Sequence, residues 1–192
     1  MKKEQFWELI AEARDRAITA HDSEAIAREA TSLLAARPVE EIAAAEQVLW
    51  GLMVESYTNP LWAAAYTANG GCSDDGFDYF RGWLITQGRE VFERVVADPD
   101  ALAKLPIVHA APAAGSDLDG EDMLVIAWNA HITATGDQLP LGTLTICCPQ
   151  LDPAWNFGLL GLRRDGSPTA ASGCSLPGVS RAGSTPTEKL CE

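Results

Sequence analysis

The sequence predicts an all-α fold: a single compact domain of about six helices over residues 4–136, with a Gly/Pro-rich, poorly structured C-terminal extension over residues 137–192. Two observations carry this. Through the first 135 residues apolar side chains recur at intervals of three and four, the spacing of one buried helical stripe, and Pro, Gly or Asp/Ser caps fall between the stretches. From Gly136 onward that period is lost, and 8 of the 16 glycines and 6 of the 11 prolines lie in the last 57 residues.

In chain order, Phe6, Leu9, Ile10, Ala13, Ala17 and Ile18 mark a first helix over Gln5 to Thr19. Asp22 or Ser23 caps a second, in which Ile26, Ala30, Leu33 and Leu34 form the stripe up to Arg37. Pro38 separates it from a third helix, opened by Glu40 and Glu41 and buried through Ile42, Ala45, Val48, Leu49, Leu52 and Met53. Asn59-Pro60 signals a turn before a short apolar helix, Leu61 to Ala68, which glycines terminate. The next helix runs from Asp74 to about Gln87, where Gly88 ends it or bends it into Arg89–Val96. Asp98-Pro99-Asp100 caps a short helix over Ala101 to Leu105. Pro106 to Gly115 reads as an Ala/Pro-rich connection. Asp117 or Asp119 then caps a last helix, Glu121 to Thr133, with Leu124, Val125, Ala127, Trp128 and Ile132 on its apolar side. Leu144 to Cys148 has the composition of a short strand, and Gly166 to Glu192 that of a flexible tail.

Charge narrows the partners. The net charge is −13, and residues 1–135 hold 22 acidic against 10 basic side chains, so no basic patch exists for a phosphate backbone. Nucleic acid and anionic membranes are disfavoured. No apolar run approaches ~20 residues, so no membrane span is expected, and no secretory leader is legible. The 5 cysteines are odd in number and form no Cys-x-x-Cys pair, which fits reduced thiols in a cytoplasm.

The densest stretch is Asn69 to Leu84. Two glycines supply backbone freedom, Ser73 is a good N-cap, and Asp74 and Asp75 occupy a first helical turn where the dipole favours them. Phe77, Phe80 and Leu84 project to one face, and Asp74, Asp78 and Arg81 to another. The run Gly70-Gly71-Cys72-Ser73-Asp74-Asp75-Gly76-Phe77, with Phe80-Arg81-Gly82-Trp83-Leu84-Ile85 and Gly88-Arg89, resembles the signature of the bacterial domain of unknown function 4240 family. Phe6-Trp7, Leu61-Trp62-Ala63-Ala64-Ala65-Tyr66, Asp98-Pro99-Asp100-Ala101-Leu102 and the helix from Glu121-Asp122 to Thr135-Gly136 extend the resemblance over about residues 1–140. After about Phe157 the chain departs from the family pattern. The resemblance implies a compact, mostly helical bacterial domain with no established biochemical role.

The candidate chemistry is sparse. Adjacent Asp74 and Asp75 could hold a divalent cation or act as acid and base, with Asp78, Asp98 and Asp100 as further oxygen donors, although first-turn charge compensation or an internal salt bridge is the commoner role of such a pair. Arg81 stands three residues after Asp78, within helical reach of an ion pair. Cys72 precedes a helix N-terminus, which lowers a thiol pKa where the geometry holds, although a buried small hydrophobe is the commoner role. Cys147-Cys148 is a vicinal pair. His21, His109 and His131 lie far apart, and no nucleophile elbow, phosphate loop or zinc motif occurs, so no cofactor or metal is predicted. Charged groups beside a marginal aromatic make Asp75, Arg81 and Trp83 the candidate binding face for a protein or small-molecule partner. The leading expectation is a non-catalytic interaction or regulatory module, and the competing one a small metal-assisted enzyme using Asp74 and Asp75.

Overall fold

A computed structural model describes residues 1–19, 21–114, 117–140 and 151. Among these, every regular element is helical: α1 (Lys3–Arg16), α2 (Ser23–Ala35), α3 (Val39–Glu55), α4 (Asn59–Asn69), α5 (Asp74–Thr86), α6 (Arg89–Ala97), a 3-10 turn (Pro99–Lys104), α7 (Pro106–Ala114), a second 3-10 turn (Glu121–Val125) and α8 (Ile126–Thr135). The all-α fold is as expected, with a few more helices than six. The strand expected at Leu144 to Cys148, the Cys147-Cys148 pair and the tail from Gly166 lie outside the described residues.

Local chemistry explains most boundaries. The Asp22 carboxylate accepts the Ala25 amide at 3.0 Å to start α2, and Thr58, one residue before the expected Asn59-Pro60 turn, caps α4. Gly88, at φ +89°, ends α5 and begins α6 as a separate helix, because a left-handed residue cannot continue either one. Asp98 accepts the Asp100 amide at 3.3 Å, but the short segment that follows winds as 3-10 rather than α.

Four expectations need correction. Residues 106–114 are a helix, not a connection, since Pro106 occupies a first turn that needs no amide donor and alanines follow it. α1 stops at Arg16, which leaves Ile18 fully exposed in the next loop. The last helix is divided, 3-10 up to Val125 and α from Ile126. That change of winding rotates the stripe, so Ala130 and His131 are buried while Ile132 is exposed.

The helices share one core, built from Phe6, Leu9 and Ile10 of α1, Ile26 and Leu34 of α2, Ile42, Leu49 and Trp50 of α3, and Phe92 and Val95 of α6. α5 runs through its middle and packs on α2, α3, α4, α6 and the second 3-10 turn. Every residue from Phe80 to Gly88 is buried, so α5 is covered all round in its C-terminal half rather than along one stripe. One approach is unusually close: the Gly120 amide donates to the Tyr79 carbonyl at 3.0 Å, and a Cβ built on Gly82 would lie 2.4 Å from the Gly120 oxygen. Beside it, Asn69 brackets the backbone of Leu118, accepting its amide at 3.0 Å and donating to its carbonyl at 3.4 Å. The segment 117–120 is thereby sewn to the junction between α4 and α5.

Candidate functional site

That junction is built by its backbone. Gly70 stands in the left-handed conformation at φ +67° and closes α4 with its amide on the Tyr66 carbonyl, a glycine C-cap. Ser73 then opens α5, its hydroxyl accepting the Gly76 amide at 3.1 Å, with Asp74 and Asp75 in the first turn. Trp62 ties the two together by donating its indole N–H to the Cys72 carbonyl at 3.2 Å.

Below the junction lies Arg81, with no solvent exposure. Its guanidinium donates from Nη2 to Asp78 Oδ1, from Nη1 to the Met53 carbonyl and from Nε to the Phe77 carbonyl. The rings of Tyr57 and Phe77 close over it, with centroids 4.8 and 4.7 Å from Cζ, and Trp62 stacks on Phe77 at 5.0 Å. A cation removed from water is held here by a carboxylate, two carbonyls and two π faces. Burial raises the Asp78 carboxyl above its usual range, and the attraction of Arg81 pulls against that rise.

The exposed face expected at Asp75, Arg81 and Trp83 is therefore not assembled. Asp75 is exposed, but Arg81 is enclosed and Trp83 is 3% exposed, packed on Phe80 at a centroid distance of 5.4 Å. The helical projection placed Trp83 at the edge of a stripe and Arg81 on the charged face with Asp74 and Asp78, whereas Met53, Tyr57 and Phe77 enclose Arg81 and the Gly120 segment closes on Trp83. Cys72 also differs from a reactive thiol: burial, only partly offset by Arg81, pushes its pKa up to about 12, so the helix end does not activate it.

What remains in solvent is acidic. Asp75 faces the same region as Asp119 and Glu121, since all three bear on Tyr79, whose hydroxyl donates to Glu121. Burial comes first among the causes that raise the Tyr79 pKa, followed by Glu121. No three His, Cys, Asp or Glu side chains converge as a metal site among the described residues. Asp98 and Asp100, offered as partners for Asp74 and Asp75, line a different groove, against Pro60, Ala63, Ala64 and Thr67 of α4. His109 bonds the Ala103 carbonyl at 2.7 Å and His131 the Asp137 carbonyl at 2.9 Å, each a local tie, and His21 is exposed.

Sequence reasoning missed Glu46. It sits on the buried side of α3, where the indole of Trp50 donates to Oε1 at 3.0 Å and Oε2 has no partner. Desolvation, opposed by the Trp50 bond, lifts its carboxyl to about 7. Its pKa is raised in the fold, so the unfolded chain ionises first. Stability from this group is unimpaired below about pH 4.5, falls as pH rises toward 7, and is constant above that. The full span is on the order of 3 kcal/mol. Glu46→Gln is expected to stabilise the protein by about 1–2 kcal/mol at pH 8 and by far less at pH 4.5, read from urea denaturation at the two values. An equal effect at both would show that Glu46 is not held protonated. A signal existed in the sequence: a lone acid among Ala45, Val48 and Leu49 on a stripe otherwise apolar.

A family model described as "Protein of unknown function (DUF4240)" matches residues 1–132. No curated protein and no solved structure matches the chain.

Proposed function

The chain belongs to the DUF4240 family of proteins of unknown function, and we propose that its helical body serves as a non-catalytic interaction or regulatory module in the cytoplasm. The observation that carries this reading is the fate of Arg81. The cation of the densest motif donates from each of its three nitrogens and has both faces covered by rings inside the protein, so the motif's chemistry is directed to holding α5 against α3 and Tyr57, with α4 joined through Trp62 on Phe77. The Cys72 thiol, raised to about 12, supports the same reading, since a neutral thiol is a poor nucleophile. Cysteine usage without a paired motif supports a reducing compartment.

The competing enzyme would work through Asp74 and Asp75. The double variant Asp74→Asn with Asp75→Asn separates the two. As first-turn charges they contribute about 0.3–1 kcal/mol each, so the melting temperature is expected to fall by a few degrees while calorimetric titration with Mg²⁺ or Mn²⁺ is unchanged from the parent. A variant that melts as the parent does but loses divalent-cation binding would reverse the assignment.

A further inference from the structure

The groove between α4 and the 98–100 turn encloses about 370 Å³ and is lined by Pro60, Ala63, Ala64, Thr67, Asp98, Pro99 and Asp100, a size within the range of ligand-binding clefts. Its composition is divided. Prolines and alanines give an apolar floor, and Asp98 and Asp100, both exposed, give an acidic edge. The carboxylates that do form ion pairs among the described residues take their partners elsewhere: Lys3 with Glu55, Arg81 with Asp78, and five Arg–Glu pairs one helical turn apart. Among the described residues Asp98 and Asp100 have no such cation. Asp98 directs one oxygen to the Asp100 amide, and no cation among the described residues pairs with its charge.

An apolar trough ending in unneutralised carboxylates complements the side chain of a lysine or arginine, whose methylene stem seeks apolar surface while its head stays charged. We infer that this groove docks a basic segment of a partner protein, a Lys or Arg stem lying along Ala63 and Ala64 and its head meeting Asp98 and Asp100. The inference rests on the interaction reading and supplies the chemistry of the partner. The acidity of the chain, −13 overall, steers such a segment toward the molecule, and the groove fixes where it stops.

Because any basic peptide is drawn to so acidic a protein, the test must separate the groove from general attraction. The probe is a fluorescein-labelled octapeptide of alternating Lys and Ala, with its lysine-acetylated form as the uncharged control. Binding to the full chain is followed by anisotropy at low salt and mapped by amide shifts. Shifts centred on Ala63, Ala64, Thr67 and Asp100 are expected. Ala64→Phe, which fills the groove without changing charge, should weaken binding about tenfold, and Asp100→Asn about two- to fivefold. Thr67→Lys, on the exposed side of α4, places a cation in the groove and should match the effect of Ala64→Phe if that variant proves poorly folded. Undiminished binding by Ala64→Phe and Thr67→Lys, equal binding of the acetylated peptide, or shifts centred on Asp75, Asp119 and Glu121 would each overturn the groove. The last of these would leave the interaction reading standing on another face, whereas divalent-cation binding lost in the Asp74/Asp75 variant would remove that reading independently.

Discussion

Arg81→Met is expected to lower stability by about 3–5 kcal/mol, because it strips the buried Asp78 carboxylate of the guanidinium that pairs with it and empties the space between two aromatic rings. For a chain of this size that corresponds to a fall in melting temperature on the order of 10 °C. The cost arises largely from what is left behind. Asp78 is 7% exposed and without Arg81 must either ionise in a dry site or take up a proton. Removing both charges in Arg81→Met with Asp78→Leu should therefore recover at least half of the loss, since a buried ion pair exchanged for apolar groups is close to neutral. The Met53 and Phe77 carbonyls lose a donor in either variant, which sets the remainder. Thermal melts of the two proteins decide the matter. If Arg81→Met melts with the parent, the guanidinium is not structural and the case for a fold-holding motif fails.

Gly82→Ala is expected to cost more than about 3 kcal/mol, although alanine in a helix interior ordinarily stabilises relative to glycine by about 1 kcal/mol. The sign reverses because of what the methyl meets. At Gly82 the new carbon would stand 2.4 Å from the Gly120 carbonyl oxygen and 3.3 Å from a Leu124 methyl. At Gly120 it would stand 2.3 Å from the Trp83 nitrogen. These neighbours are mostly backbone, held by the Gly120–Tyr79 bond and by the Asn69 bracket on Leu118, and cannot swing aside as a flexible side chain can. Gly51 is the matching control: it lies exposed on α3 with nothing within 4 Å of a built Cβ, so Gly51→Ala should stabilise by the ordinary amount. Urea midpoints for the three proteins read the contrast. A Gly82→Ala protein as stable as Gly51→Ala would mean that the close approach is absent in solution.

The sequence revealed the helices where amphipathic period and capping residues agree. α2, with Asp22 ahead of the Ile26, Ala30 and Leu34 stripe, and α5, with Ser73 ahead of two acids, are legible for that reason. It misled at α7, where a proline in a first turn has the same letters as a proline in a linker. It misled again at Arg81 and Trp83, because a helical projection records which residues share a face and not how many faces are covered. What covers Trp83 is the 117–125 segment, about forty residues downstream, and what encloses Arg81 includes Met53 and Tyr57, about twenty-five residues upstream; no local pattern announces partners at such separations. The Asp78–Arg81 pair, by contrast, was legible from spacing alone, being an interaction within one turn. Of the candidate site, the acids were found and their surroundings were not.

The closure of Gly82 on Gly120 also bears on how the chain is made. The seam partner of Gly82 is synthesised only after 38 further residues, counting from Gly82 to Gly120, and 34 of them follow the completion of α5 at Thr86. At roughly 5–20 residues per second that is an interval of about 2–8 s. Through it the small-residue notch at Gly82 and the flank of Trp83 have no native cover, and the Asn69 amide has no Leu118 backbone to hold. For those seconds the nascent chain presents an apolar helix with a flat, glycine-lined side, the kind of transient surface on which another nascent helix or a chaperone settles.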